Sequence, residues 1–289
     1  MSGHIEGLYR LVSGALLMNS FCRGWLSSIC LIVGVCLSAI NPAAAQQKRG
    51  FRISLDAIST IKELAAQDDL WVVEVHFKPM RLISVEVTDP KTKKKSRQLV
   101  WYLIYKAINR PLDRRPDTSN TRPVNEVDPN PRTLFVPEFT LVTQDKDGTR
   151  IYPDVIIPEA QAAIQKRESR GPADPVFKNS VEVVGPLPPV TPPGAKQEKA
   201  IYGVVMWKKV DSKTDYFTIY MSGFSSGYQM GKGPAGKPLL LRRTIVQQYW
   251  RPGDQFDQNE DEFRPRGAPR WMYRPDGVNT PSAKPPAPK

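Results

Sequence analysis

LWVVEVHF, residues 70–77, puts Trp71, Val73, Val75 and Phe77 on one side of an extended chain and Glu74 and His76 on the other. A period of two over eight residues predicts a strand with one buried and one wet face. ISVEV (83–87) repeats the pattern, with Ile83, Val85 and Val87 alternating with Ser84 and Glu86. DPKTKKKSR (89–97) has turn chemistry and joins this strand to LVWYLIYKAIN (99–109), a continuous apolar strand.

Outward from there, FTLVT (139–143) leads through the tight turn DKDG (145–148) into RIYPDVII (150–157). NSVEVVG (179–185), AIYGVVMWKKV (200–210), DYFTIYMSG (215–223), LLLRRTIVQQYW (239–250) and RWMYR (270–274) also read as strands, and Phe217, Ile219 and Met221 share an inward face. Two helices are predicted. One lies in SLDAISTIKELAAQDD (54–69), where Leu55, Ile58, Ile61 and Leu64 recur every three residues behind Ser54 as N-cap. The other is PEAQAAIQKRE (158–168), opened by Pro158. Residues 110–132 form a surface excursion, PLPPVTPPGAK (186–196) is a stiff extended connection, and the tail over 275–289 reads as disordered. These elements predict a mainly β chain, a β-sandwich with two short helices and Pro-rich connections. Residues 70–185 and 200–274 form two halves or two domains, divided by the connection at 186–199.

LSSICLIVGVCLSAI (26–40) is an uncharged apolar run followed by Ala43 and Ala45, the pattern of a secretory signal peptide cleaved near Ala45, with Met18 as the better start. At 15 residues it is short for a membrane span, which needs about 20. The chain is therefore expected in the periplasm or outside the cell, with 46–69 as an N-terminal helical segment. All three cysteines (Cys22, Cys30, Cys36) fall within the leader, so what remains has no disulfide, thiolate metal site or cysteine nucleophile. Removing Glu6, Arg10 and Arg23 takes the net charge from +12 to +11. A basic exported protein meets anionic polymers, lipid headgroups or acidic glycans sooner than nucleic acid.

Two near-motifs fail on chemistry. GKGPAGKP (231–238) approaches the phosphate-cradling loop, but Pro238 replaces the Mg²⁺-binding hydroxyl and the following residues have a strand pattern where a helix is required. GFSSG (223–227) puts Ser225 where a hydrolase nucleophile would sit, yet no histidine follows it, and His76 lies far upstream beside Glu74. Asp145, Asp147 and Asp154 have calcium-loop spacing, but Thr143 stands in the first ligand position and strands flank the turn. The acidic run DQNEDE (257–262) is expected as a solvated loop, balancing nearby Arg264 and Arg266.

LVWYLIYKAIN followed by an irregular loop resembles a strand of immunoglobulin-like domains in exported bacterial proteins. Its occurrence with DYFTIYMSGFS is similar to secreted proteins of planctomycete-type bacteria. The resemblance covers roughly residues 70–275 and implies an immunoglobulin-like β-sandwich, with no activity or catalytic residue attached. The function expected is a non-catalytic binding or structural module of the cell envelope, without cofactor, whose partner is an anionic envelope polymer or another envelope protein, and neither nucleic acid nor nucleotide. Lys93, Lys94, Lys95, Lys232 and Lys237 are the candidate contacts to such a partner, set against the reading of hairpin tips that simply stay solvated. A carbohydrate-binding protein is the alternative, with Trp250 and Trp271 as stacking platforms, set against core positions for both. A carboxylate-based glycan-cleaving enzyme is the third reading.

Overall fold

The computed structural model describes residues 50–275 without 90, 113–132, 146–147, 170, 234–235 and 253–262. The leader, the cysteines, the acidic run, most of the 110–132 excursion and the tail from 276 lie outside the described residues.

LVWYLIYKAIN forms the greater part of β4 (Lys95–Asn109), the strand on which the first sheet is built. β2 (Val73–Phe77) and β3 (Arg81–Thr88) lie end to end along one edge of it, and β9 (Ala200–Lys208) lies along the other, all antiparallel. β1 (Ile53–Leu55) adds to the outer edge of β2. Phe77 pairs with Tyr105 and Arg81 with Tyr102, so β2–β3 carries one residue more than β4 at Lys78–Met80. An extra residue turns every later side chain to the opposite face of the sheet. The alternations in LWVVEVHF and ISVEV therefore bury opposite faces: Val73, Val75 and Phe77 look toward the second sheet, and Val85 looks away from it. Each strand keeps one wetter face, Glu74 and His76 half-buried on β2 and Ser84 and Glu86 exposed on β3, but the two lie on opposite faces of the sheet.

The second sheet repeats the plan around β12 (Pro238–Trp250). β13 (Arg264–Pro275) runs along one edge, and β10 (Tyr216–Ser222) and β11 (Tyr228–Lys232) run end to end along the other. β6 (Glu138–Thr143) and β7 (Ile151–Pro153) extend the sheet beyond β10. A separate two-stranded ladder joins β5 (Leu134–Phe135) to β8 (Gly185–Pro186). The two large sheets pack face to face around one core, with Val75, Phe77, Trp101, Leu103, Tyr105 and Trp207 meeting Phe139, Leu141, Phe217, Ile219, Met221 and Tyr249. Trp101 lies 5.2 Å from Phe217 and 4.6 Å from Phe263, ring to ring. Residues 70–185 and 200–274 share this core, since β9 pairs with β4 and β10 with β6.

On the far face of the first sheet, α2 (Pro158–Glu168) lays Ala160 and Ile164 on Val100, Tyr102, Ile104, Val204 and Met206. Burial on both faces explains why β4 has no alternation. The end of α2 is held by Glu168, which accepts from Arg81 at 2.8 Å, the Tyr102 hydroxyl at 2.7 Å and Lys78 Nζ at 3.2 Å. Burial alone would raise the pKa of Glu168, but the Tyr102 hydrogen bond and the charges of Arg81 and Lys78 outweigh it and the net shift is downward. The Lys78 ammonium is pushed down, first by its own burial.

Three local expectations change. The helix expected over 54–69 is confined to α1 (Ile61–Ala66), because Thr60 and Glu63 close a capping box there while Ile53–Leu55 completes the β2 edge. The three-residue spacing of Leu55, Ile58 and Ile61 marks no helix face: Leu55 is in the core, and Ile58 and Ile61 are exposed. NSVEVVG is a turn and not a strand. Asn179 Oδ1 accepts from the N–H groups of Val181 and Glu182, and Glu182 accepts from the Asn179 N–H, which rolls the chain up locally. Finally, residues 223–238, whose glycines and prolines read as one Gly/Pro-rich connection between two strands, are not one long loop: β11 lies inside them, and Gly233 N–H donates to Lys237 O at 2.7 Å before β12 begins.

Candidate functional site

GFSSG sits where the long strand formed by β10 and β11 breaks. Met221 pairs with Ile245 and Tyr228 with Arg242, so seven steps on one strand face three on the other. The four surplus residues drive Phe224 into the core against Tyr105, Phe135 and Phe139. The same segment bonds to the start of β2: Ser225 Oγ donates to Trp71 O, Trp71 N–H to Ser226 Oγ and Val73 N–H to Phe224 O. Ser225 thus fastens one sheet to the other, whereas His76 pairs with Glu74 at 2.5 Å on the far face of the first sheet. The phosphate-loop near-motif is the β11–β12 turn followed by a strand, as its residue types required.

The lysines named from the sequence are not brought together. Lys93 lies in the β3–β4 turn at a positive φ of 57° and Lys95 opens β4, whereas Lys232 and Lys237 flank the β11–β12 turn. Near the first turn, Trp101 meets Phe217 and Phe263; farther along β4, Tyr105 meets Phe139 and Phe224. That order runs β4 away from the Tyr249 end of β12, so the two lysine groups occupy opposite ends of the sandwich. The calcium spacing dissolves in a similar way. Asp145 Oδ1 is taken by the N–H groups of Asp215 and Tyr216 at one end of β6, and Asp154 lies at the other end, where its N–H donates to Phe139 O. Asp154 is held by the Ser180 hydroxyl, and its pKa is raised by burial first and by the Glu138 charge to a lesser degree. Among the described residues no three His, Cys, Asp or Glu gather as metal ligands.

Trp250 and Trp271 are separated by the sheet itself. Trp271 pairs with inward-facing Ile245, packs at the core edge and stacks under the Arg243 guanidinium at 4.8 Å. Trp250 is on the outer face, 39% exposed, with Tyr216 (43% exposed) directly opposite it on β10.

That outer face is where the register concentrates charge. Arg264 pairs with Trp250, Arg266 with Gln248, Arg270 with Val246 and Arg274 with Arg242, which places five guanidinium groups on the same side of two neighbouring strands. The slip between Val246 and Gln248 keeps Arg266 and Arg270 on the same face. Two of them lie over rings across β12, Arg274 at 3.5 Å from the Tyr220 centroid and Arg266 at 5.4 Å from Tyr216. Their stems lie over the sheet, and Thr218, Thr244 and Val246 are buried although they face outward. Burial lowers the pKa of Arg274, with Tyr220 opposing. A stacked guanidinium keeps its in-plane N–H fork for a carboxylate or phosphate. Among the described residues of these outward rows, Glu138 on β6 is the acidic side chain.

Only Arg264 and Arg266 entered the sequence reading, and then as counter-charges. The signal for the whole row was the even numbering of Arg264, Arg266, Arg270 and Arg274, hidden because RPRGAP reads as coil and only RWMYR as strand. No protein-family model matches the chain, and neither does any curated protein or solved structure.

Proposed function

We propose that this protein is an exported, non-catalytic binding module of the cell envelope, built on an immunoglobulin-like sandwich, and that it docks an anionic envelope polymer on the outer face of its second sheet. The observation that carries the reading is the register of β12 and β13, which sets Arg242, Arg264, Arg266, Arg270 and Arg274 on one face. A sheet face with a row of guanidinium groups, two of them held over rings, offers many shallow contacts and suits an extended chain of charges. The export signal is the residue pattern at 26–45, and among the described residues no helix is long and apolar enough to cross a membrane.

The test is a pull-down of the purified chain on isolated cell envelope at low and high salt. Wild type is retained at low salt and released as salt screens the contact. R266E/R270E is expected to lose retention, while charge reversal at Lys93–Lys95 or at Lys232 and Lys237 leaves most of it. Retention lost from the turn variants and kept by R266E/R270E would move the site to the hairpin tips.

A further inference from the structure

The basic face is uneven. At one end, Tyr216 and Trp250 sit on adjacent strands as a cross-strand pair, both well exposed, with Arg264 opposite Trp250 and Arg266 over Tyr216. Cross-strand neighbours bring their Cβ atoms to about 5 Å, so the two side chains are neighbours on the face, with Trp250 the open ring and Tyr216 beside it next to Arg266. Farther along the face Arg274 covers Tyr220 at 3.5 Å, and beyond it Tyr228 on β11, opposite Arg242, is exposed again. Arg270, opposite Val246, is exposed on the stretch between.

A polymer of phosphates needs only the cations. Single-stranded nucleic acid needs stacking platforms repeated along its track, and here Arg274 over Tyr220 interrupts the row between Tyr216 and Tyr228. An acidic sugar chain needs a flat ring for the apolar face of a pyranose and, beside it, forked donors for the carboxylate at the sugar's edge. Trp250 with Tyr216 supplies the first, and Arg266 beside them supplies the second. Resting on the anion-docking reading above, we infer that the occupant of this face is an acidic polysaccharide, with one uronate ring seated on Trp250 and Tyr216 and the following carboxylates held by Arg266, Arg270 and Arg274.

The two arms of the inference are the ring and the charge, and one titration separates them. The purified chain is titrated by fluorescence and calorimetry with polygalacturonate, its methyl ester, dextran, polyphosphate and an oligothymidylate. Polygalacturonate is expected to bind and to quench Trp250, with the ester and dextran each weaker by about tenfold or more, as loss of charged hydrogen bonds implies. Trp250→Ala is expected to weaken polygalacturonate roughly tenfold at unchanged Tm, while Trp250→Phe keeps most of the affinity, since the ring and not the indole N–H does the stacking. Arg266→Lys, which keeps the charge and loses the fork, is expected to weaken it about fivefold. Polyphosphate or oligothymidylate bound as tightly as polygalacturonate, or Trp250→Ala without effect, overturns the sugar occupant and leaves anion docking standing. No binding to any of the anionic polymers overturns both.

Discussion

Gly223 carries a φ of +80°, and a Cβ there would come within 1.9 Å of the Val136 carbonyl oxygen. The obstacle is backbone, so no side chain can swing away to admit a methyl group. Left-handed strain and overlap act together, and Gly223→Ala is expected to cost roughly 3–5 kcal/mol. Two residues on, Ser225→Ala removes the donor to Trp71 O and the acceptor of the Gly227 N–H, which is about 1–2 kcal/mol. Urea unfolding followed by circular dichroism measures both. A Gly223→Ala variant within 1 kcal/mol of wild type would mean that the GFSSG junction is not the rigid tie between sheets described above. The glycine and serine of that motif are thus accounted for by packing and bonding alone.

At the scale of elements, two segments are clamped to the first sheet by charge. α2 is anchored through Glu168, which faces Arg81, Lys78 and Tyr102. Glu168→Gln strands two cations in a buried site, and the expected loss is about 3–5 kcal/mol by chemical denaturation. A loss under 1 kcal/mol would show that Glu168 does not anchor α2, leaving Ala160, Ile164 and the Arg167 hydrogen bond to Leu82 O to hold it. The Pro-rich connection is likewise no free linker. Asn109 donates to Pro188 O and Arg110 to the carbonyls of Thr191 and Pro192, while Arg110 also grips Glu74 and Glu198. Hydrogen bonds from Lys106 and then Arg110 bring the pKa of Glu198 down to about 2. In Glu74 the Arg110 and His76 contacts outweigh burial, and the shift is also downward. A carboxylate with a folded pKa below its unfolded value of about 4.3 stabilises the fold above that pH, and the contribution disappears as pH falls through the folded value. Stability is therefore expected to drop between about pH 4.3 and pH 2. Urea midpoints at pH 7, 4 and 2.5 measure the drop, and Glu198→Gln is expected to flatten the lower part of the curve. An unchanged curve in that variant would remove Glu198 from the clamp.

For the molecule as a whole, legibility followed how local the deciding interaction was. LVWYLIYKAIN announced its strand, Phe217, Ile219 and Met221 their inward face, and PEAQAAIQKRE its helix, because propensity and period act within a few residues. Whatever depended on a count between strands stayed hidden. The surplus residue at Lys78–Met80, the four at GFSSG and the register that lines up Arg264, Arg266, Arg270 and Arg274 are relations between segments, and they decide both the layers and the candidate face. Sharing of one core by the two halves is of the same kind, since it rests on β9 crossing to β4 and β10 to β6. A single core has a measurable consequence. Heat is expected to unfold far-ultraviolet and aromatic circular dichroism signals together in one transition, as for any cooperative unit. Cleavage at a protease site engineered at Lys196, at the end of the Pro-rich connection before β9, is expected to leave two pieces that co-elute on size exclusion, because two strand ladders and the aromatic core still join them. Two separated transitions, or fragments that part without denaturant, would mean that the Pro-rich segment divides two independent folds.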